Sequence, residues 1–295
     1  MTEEEPRQEV QIRRILVALD PSLHSRAALE SAAELAARLR AELSALFVED
    51  INLMRLAALP FAREMFFGSV TGRRLDLASM EHSLRGQAGR LRRLLEAVAG
   101  ARRVQWAFEV ARGNVTAELV ARSSGYDLLI LGRLGSTPGR PREIGSTARA
   151  LIARSSCAVL LLEHGHVVER PVAVLYDGTE PGRRALAMAA QLAERDEHNL
   201  VVLIPPLDPE RARAVEQQAM DLLGARGIHP RVRRLRADSA HALVEALHAE
   251  VGRVLVLGAG EGAAGRRRME VLSTADFPVV VVRAPGEEAA KRARH

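Results

Sequence analysis

The sequence predicts an α/β protein made of two doubly wound, five-stranded parallel-sheet domains related by a pseudo-twofold axis. Three observations carry this. The chain has 295 residues, about two domains' worth, because single hydrophobic cores stop growing near that size. Apolar β-branched runs alternate with helix-period segments, the pattern of a parallel sheet covered on both faces. The segment IRRILVALD, ending at Asp20, recurs as ERPVAVLYDG around Asp177, so one plan is used twice.

The elements follow in order within each copy. After the first strand comes an alanine-rich helix: Ala27, Ala28, Ala32, Ala36 and Leu39 recur at helical spacing, as do Ala185, Leu186, Ala189, Ala190 and Ala193. Small side chains on one face let such a helix pack close to a sheet. The second strands read ELSALFVED (42–50) and HNLVVLIPP (198–206). Long charged amphipathic helices are expected at about 78–99 and 208–226, then strands at 104–110 and 231–236 and helices at 114–124 and 238–250. The most apolar strands, DLLILG (127–132) and RVLVLG (253–258), come fourth, and CAVLLLE and FPVVVVR close the halves. The expected domains are 1–166 and 167–295, with the turn between them near His164 to Arg170. Each closing strand left at a sheet edge would template aggregation, so 157–163 and 277–283 are expected to pair antiparallel across the pseudo-twofold axis.

Composition removes several function classes. The only lysine is Lys291, in the tail, whereas a Walker loop, a protein kinase and a pyridoxal-phosphate enzyme each need an internal lysine at a defined place. The single cysteine, Cys157, excludes an internal disulfide and a cysteine-based zinc cluster, and beside AVLLL it reads as inert and buried. No apolar run approaches the roughly 20 residues of a membrane span, and the polar N-terminus lacks a signal-peptide core, so no membrane insertion and a cytoplasmic protein are expected. A net charge of +5 suits nucleic acid, but 3% aromatic residues supply no stacking platform, and the arginines are interspersed with glutamates. Nucleic acid is not the expected partner.

The chemistry concentrates after the fourth strand of the first half, in LGRLGSTPGRPREIGSTARALIARSS. Its glycines fall as Gly132-x-x-Gly135-x(9)-Gly145-Ser146, at the start of a helix. Glycines let backbone amides approach an anion, and Ser146 and Thr147 place hydroxyls at the positive end of that helix. Arg133, Arg140, Arg142, Arg149 and Arg154 outnumber the one local acid, Glu143. The loop sits outside the carboxyl end of a parallel strand, where open sheets bind ligands.

This arrangement, with the strand-terminal Asp20, resembles the ATP-binding signature of the universal stress protein family, over about 12–163 and more weakly over about 170–283. The resemblance implies that Ala18 and Asp20 line an adenosine pocket, and that Val48 supplies backbone contacts to adenine. It implies that Leu131, Gly132, Gly135, Gly145, Ser146 and Thr147 hold ribose and phosphates. It implies binding of ATP by the N-terminal domain, with or without magnesium, and slow or absent hydrolysis.

The second copy departs from the pattern. Gly258 matches Gly132, but Glu261 and Val271 stand where the loop needs glycines, and the stretch from Gly258 to Phe277 is six residues shorter than that from Gly132 to Cys157. A carboxylate there repels phosphate, so the second domain is expected to lack ATP. Gly260-x-Gly262-x-x-Gly265 matches the dinucleotide fingerprint formally but follows the wrong strand. Arg266, Arg267 and Arg268 read as a solvated helix start, with binding of some anion as the alternative.

Between the second and third strands the first half carries an insertion, mainly 50–79, holding Phe61, Phe66 and Phe67. It reads either as a lid or partner surface, or as packing on its own domain or between the domains. The expected function is a regulatory, nucleotide-dependent binding module with an unidentified protein partner, internal domain pairing and scope for further dimerisation. Alternatives are a nucleotide-free adaptor and a slow ATPase or autokinase. No general-base constellation accompanies the loop, and His24, four residues past Asp20, reads as a surface histidine.

Overall fold

The structure, a computed structural model, describes residues 11–59, 63–64, 73–74, 76–132, 144–162, 168, 171–193, 199–250, 254–260 and 262–283. In the first half, β1 (Arg14–Leu19), α1 (Leu23–Leu39), β2 (Glu42–Asp50) and α2 (Ile51–Ala57) lead to two short strands, β3 (Arg63–Glu64) and β4 (Arg73–Arg74). Then come α3 (Leu77–Ala101), β5 (Trp106–Gly113), α4 (Val115–Ser123), β6 (Leu128–Gly132), α5 (Ser146–Arg154) and β7 (Ala158–Leu162). The second half runs β8 (Val172–Leu175), α6 (Glu180–Ala193), β9 (Leu200–Ile204), α7 (Pro209–Gly224) and β10 (Arg231–Arg234). It ends with α8 (Ala240–Ala249), β11 (Val254–Gly258), α9 (Gly262–Thr274) and β12 (Val279–Val282).

Ten strands form one sheet in the order β10-β9-β8-β11-β12-β7-β6-β1-β2-β5. Reading outward from the centre, each half repeats the same order, fifth, fourth, first, second, third, which is the doubly wound plan expected. Within this sheet every pairing inside a half is parallel, and β12 meets β7 antiparallel, with Val279 opposite Leu161, Val280 opposite Leu160 and Val281 opposite Val159. The expected seam between the closing strands is present, and it converts two sheet edges into interior strands.

Alternation along the strands divides the interior into two layers. Ile15, Val17 and Leu19 of β1, with Leu128 and Ile130 of β6, face α1 and α3, and the same layer continues under α6 and α7. Leu16, Leu129 and Leu131 face α4 and α5, and that layer continues under α8 and α9. Both layers cross the seam: Leu160 and Val280 lie in the first, Val159 and Val281 in the second. Ala28, Ala32, Ala33 and Ala36 of α1 are fully covered, as are Ala185, Ala189 and Ala193 of α6, so the alanine stripes set a close helix-to-sheet approach. Polar bonds also tie the halves: Gln191 Oε1 accepts from Ile12 N (2.9 Å), and Arg283 Nη1 donates to Ile152 O (3.2 Å).

The insertion contributes α2 and the β3–β4 pair, elements the sequence pattern did not resolve. Asp50 caps α2 by accepting from Asn52 N (2.9 Å); Met54 and Ala57 point inward, while Leu53 and Leu56 are exposed. Phe61, Phe66 and Phe67 lie outside the described residues.

Candidate functional site

The carboxyl ends of β1, β2 and β6 are adjacent because β1 pairs with both others. That adjacency brings together Ala18, paired with Leu46 of β2, Asp20 just beyond β1, half-buried Val48 near the end of β2, and Leu131 and Gly132 ending β6. Ala18 and Val48 both pack on the layer that holds α4 and α5. Gly145 is the N-cap of α5, and Ser146 and Thr147 are its first two residues. Gly135, with Arg133, Arg140, Arg142 and Glu143, lies outside the described residues, as does the side chain of His24.

Asp20 is fixed by the turn it starts. Its Oδ1 accepts from Ser22 N (2.9 Å), from Ser25 Oγ (2.7 Å) and from Ser22 Oγ, while Ser25 Oγ accepts from Asp20 N (2.6 Å). Ser22 Oγ in turn accepts from Ser25 N (3.3 Å), capping α1. The second copy repeats the device: Asp177 Oδ1 accepts from Thr179 N (3.0 Å) and Thr179 Oγ1 (2.6 Å), and Thr179 Oγ1 accepts from Gly182 N (3.2 Å). The strand-terminal aspartate therefore has a structural duty in both halves, orienting the first turn of the next helix.

Gly145 is different in kind. Its φ of −55° suits any residue, and a Cβ there would meet nothing within 4 Å. Neither backbone strain nor crowding among the described residues demands glycine. Seven helices, α1, α2, α3, α4, α6, α7 and α8, have a side chain at the N-cap position accepting from their first turn, whereas α5 starts on a residue that has none. The first turn of α5 thus has no side-chain cap from its N-cap residue, and an anion suits such a helix start.

Thr116, which sequence reading missed, joins this edge. In the first turn of α4, its Oγ1 donates to Thr147 Oγ1 at 3.2 Å, tying the starts of α4 and α5 together. A hint existed in Asn114, the α4 cap two residues earlier, but the contact spans 31 residues and only the fold creates it.

In the second half the equivalent crevice is filled by the chain itself. A Cβ on Gly258 would meet Pro181 O at 2.6 Å, so the first turn of α6 sits directly on the end of β11. Arg268 Nη1 donates to Gly260 O (3.0 Å), and Arg267 forms an ion pair with Asp238. The expectation of a solvated helix start holds for exposed Arg266 and fails for its neighbours: the Arg267 side chain is only 14% exposed. Helix phase turns two of the three arginines inward. Burial lowers the pKa of both; nearby Asp177 opposes this for Arg267, and nearby Arg283 adds to it for Arg268. What remains between Asp177, Thr179, Gly258, Gly260 and the two guanidiniums is a cavity of about 40 Å³, far below the several hundred of a drug-sized site. Glu261 lies outside the described residues.

Among the described residues no helix is long and apolar enough to cross a membrane, and no group of three or more His, Cys, Asp or Glu could hold a metal.

The strand order and the parallel pairings define a doubly wound α/β protein. The sequence profile of the universal stress protein family matches residues 11–163, more than half of the chain, and the chain belongs to that family of stress-response proteins. Solved structures share the fold across nearly the whole length. A universal stress protein from Archaeoglobus fulgidus is 18% identical with a TM-score of 0.73, covering 95% of this chain and 98% of its own. A putative universal stress protein from Pseudomonas aeruginosa is 17% identical with a TM-score of 0.55, covering 96% and 97%. A protein of unknown function from the same species is 16% identical with a TM-score of 0.54, covering 96% of each chain. The search of curated proteins finds no match to this sequence.

Proposed function

We propose that the chain is a tandem universal stress protein of the cytoplasm whose first half binds ATP as a regulatory module, nucleotide occupancy setting its affinity for a protein partner. The observation that carries this is Gly145: a helix start without a side-chain cap from its N-cap residue, with a glycine that neither φ nor any described neighbouring atom requires. Backbone amides of the first turn of α5, with the hydroxyls of Ser146 and Thr147, take the phosphates. Leu131, Gly132 and Gly135 border the ribose and phosphates, Ala18 and Asp20 border adenosine, and the backbone of Val48 meets adenine. Thr116 positions Thr147. Magnesium, where present, neutralises the phosphates. The second half, closed by Arg267 and Arg268, takes no nucleotide.

Calorimetric titration of the full chain with ATP, with and without magnesium, tests this. The expected stoichiometry is about one per chain. A value near two would overturn the exclusion from the second half, and no binding would favour the nucleotide-free adaptor. Steady phosphate release well above background would move the reading to an ATPase.

A further inference from the structure

We propose that the crevice of the second half is a binding site for one phosphate-sized oxyanion, held by Arg267 and Arg268 at the carboxyl ends of β8 and β11. The chain has not merely lost a ligand site there; it has put two guanidiniums into it. Arg268 donates one Nη1 bond to Gly260 O, yet its Nε is buried and has no hydrogen-bond partner among the described residues. A buried donor left unmatched is destabilising, and native proteins seldom keep one without a reason. Arg267 lines the same cavity from the preceding position, facing Asp177 and anchored outward by exposed Asp238.

Charge favours an anion. Arg267, Arg268 and Arg283 gather here against Asp177 and Asp238 among the described residues, which do not include Glu261. Of the two acids, Asp238 is paired with Arg267, and Asp177 has an oxygen committed to Thr179. An excess of positive charge, partly withdrawn from water, gains from a counter-charge more than a surface pair would. Size then selects the ligand. About 40 Å³ holds roughly three water-sized spheres, enough for three of the four oxygens of one tetrahedral oxyanion, the fourth facing the opening, and too little for a nucleoside. A forked guanidinium matches two such oxygens at once. The α9 N-terminus, starting two residues beyond Gly260, adds its partial positive charge.

The experiment is titration of the full chain with inorganic phosphate at constant ionic strength, followed by phosphorus NMR line width and calorimetry. Saturable binding is expected, weakened at least about tenfold by Arg268→Gln and changed less than about twofold by Arg266→Gln, whose side chain lies outside the cavity. Should Arg268→Gln fail to fold, Arg267→Gln is the second variant, with the same tenfold loss expected. Absence of saturable binding, or binding that no variant at Arg267 or Arg268 weakens, would overturn the proposal. Phosphate held instead by the loop of the first half would respond to Gly135→Glu and not to Arg268→Gln, so this inference and the ATP reading fail separately.

Discussion

Val280 of β12 lies opposite Leu160 of β7, and both are fully buried at the centre of the ten-stranded sheet. These two residues sit where the halves meet, and the layer they join runs unbroken from α1 to α6. Proline at the neighbouring Val281 removes a ladder donor from a central strand and crowds the preceding residue. Val281→Pro is expected to cost about 3 kcal/mol or more. Equilibrium denaturation should show that loss, and limited proteolysis should cut the linking segment faster. An unchanged midpoint and cleavage rate would mean that the seam contributes little.

The seam was legible in the sequence because its physics is local and uniform: AVLLL and VVVV are uncharged, β-branched or branched, and too sticky to leave at an edge. The glycine spacing of the first-half loop reads in one dimension, but Gly135 lies outside the described residues. The rest was not legible. Arg267 and Arg268 stand in a run of three arginines that reads as solvated, and only the phase of α9 turns two of them inward. Thr116 acquires its meaning from a partner on another helix. The β3–β4 pair is two residues per strand, too short for any periodicity to reveal.

Two glycines at corresponding edges should respond oppositely to alanine. At Gly258 an added Cβ meets backbone atoms of Pro181 at 2.6 and 2.7 Å, which cannot swing away, so Gly258→Ala should lose about 1–3 kcal/mol of stability and leave ATP affinity alone. At Gly145 the Cβ meets nothing within 4 Å, so Gly145→Ala should change stability by less than about 1 kcal/mol and, on the proposed function, weaken ATP at least about tenfold. Thermal melts and calorimetry on both variants give the four values. A Gly145→Ala chain with unchanged ATP affinity would remove the main support for a phosphate site at α5.

Gly135→Glu copies the second half's Glu261 into the first-half loop. A carboxylate beside the phosphates should abolish ATP binding while the melting temperature stays close to that of the parent. Affinity retained within about threefold, less than 1 kcal/mol, would show that the loop does not touch the phosphates.

Cys157 immediately precedes β7, in the layer under α5, and burial pushes its pKa up to about 12, with the charge of Asp127 adding to the effect. The thiol should therefore be inert in the folded chain: a disulfide-exchange reagent at neutral pH is expected to label it only after denaturant is added. The same shift has a consequence for stability. The protonated thiol is neutral and the folded state favours it, so the contribution is fully present below the unfolded-state pKa of about 9. Above that pH the unfolded chain ionises while the folded chain does not, and stability falls progressively until the folded pKa is reached. Three units correspond to roughly 4 kcal/mol at most. Cys157→Ala deletes the ionisable group, so the difference in unfolding free energy between parent and variant should be flat from pH 6 to about 8.5 and then narrow or reverse as the pH climbs. Denaturant titrations at four or five pH values measure it, and a difference that stayed constant through pH 10.5 would show that the thiol ionises as readily in the fold as outside it.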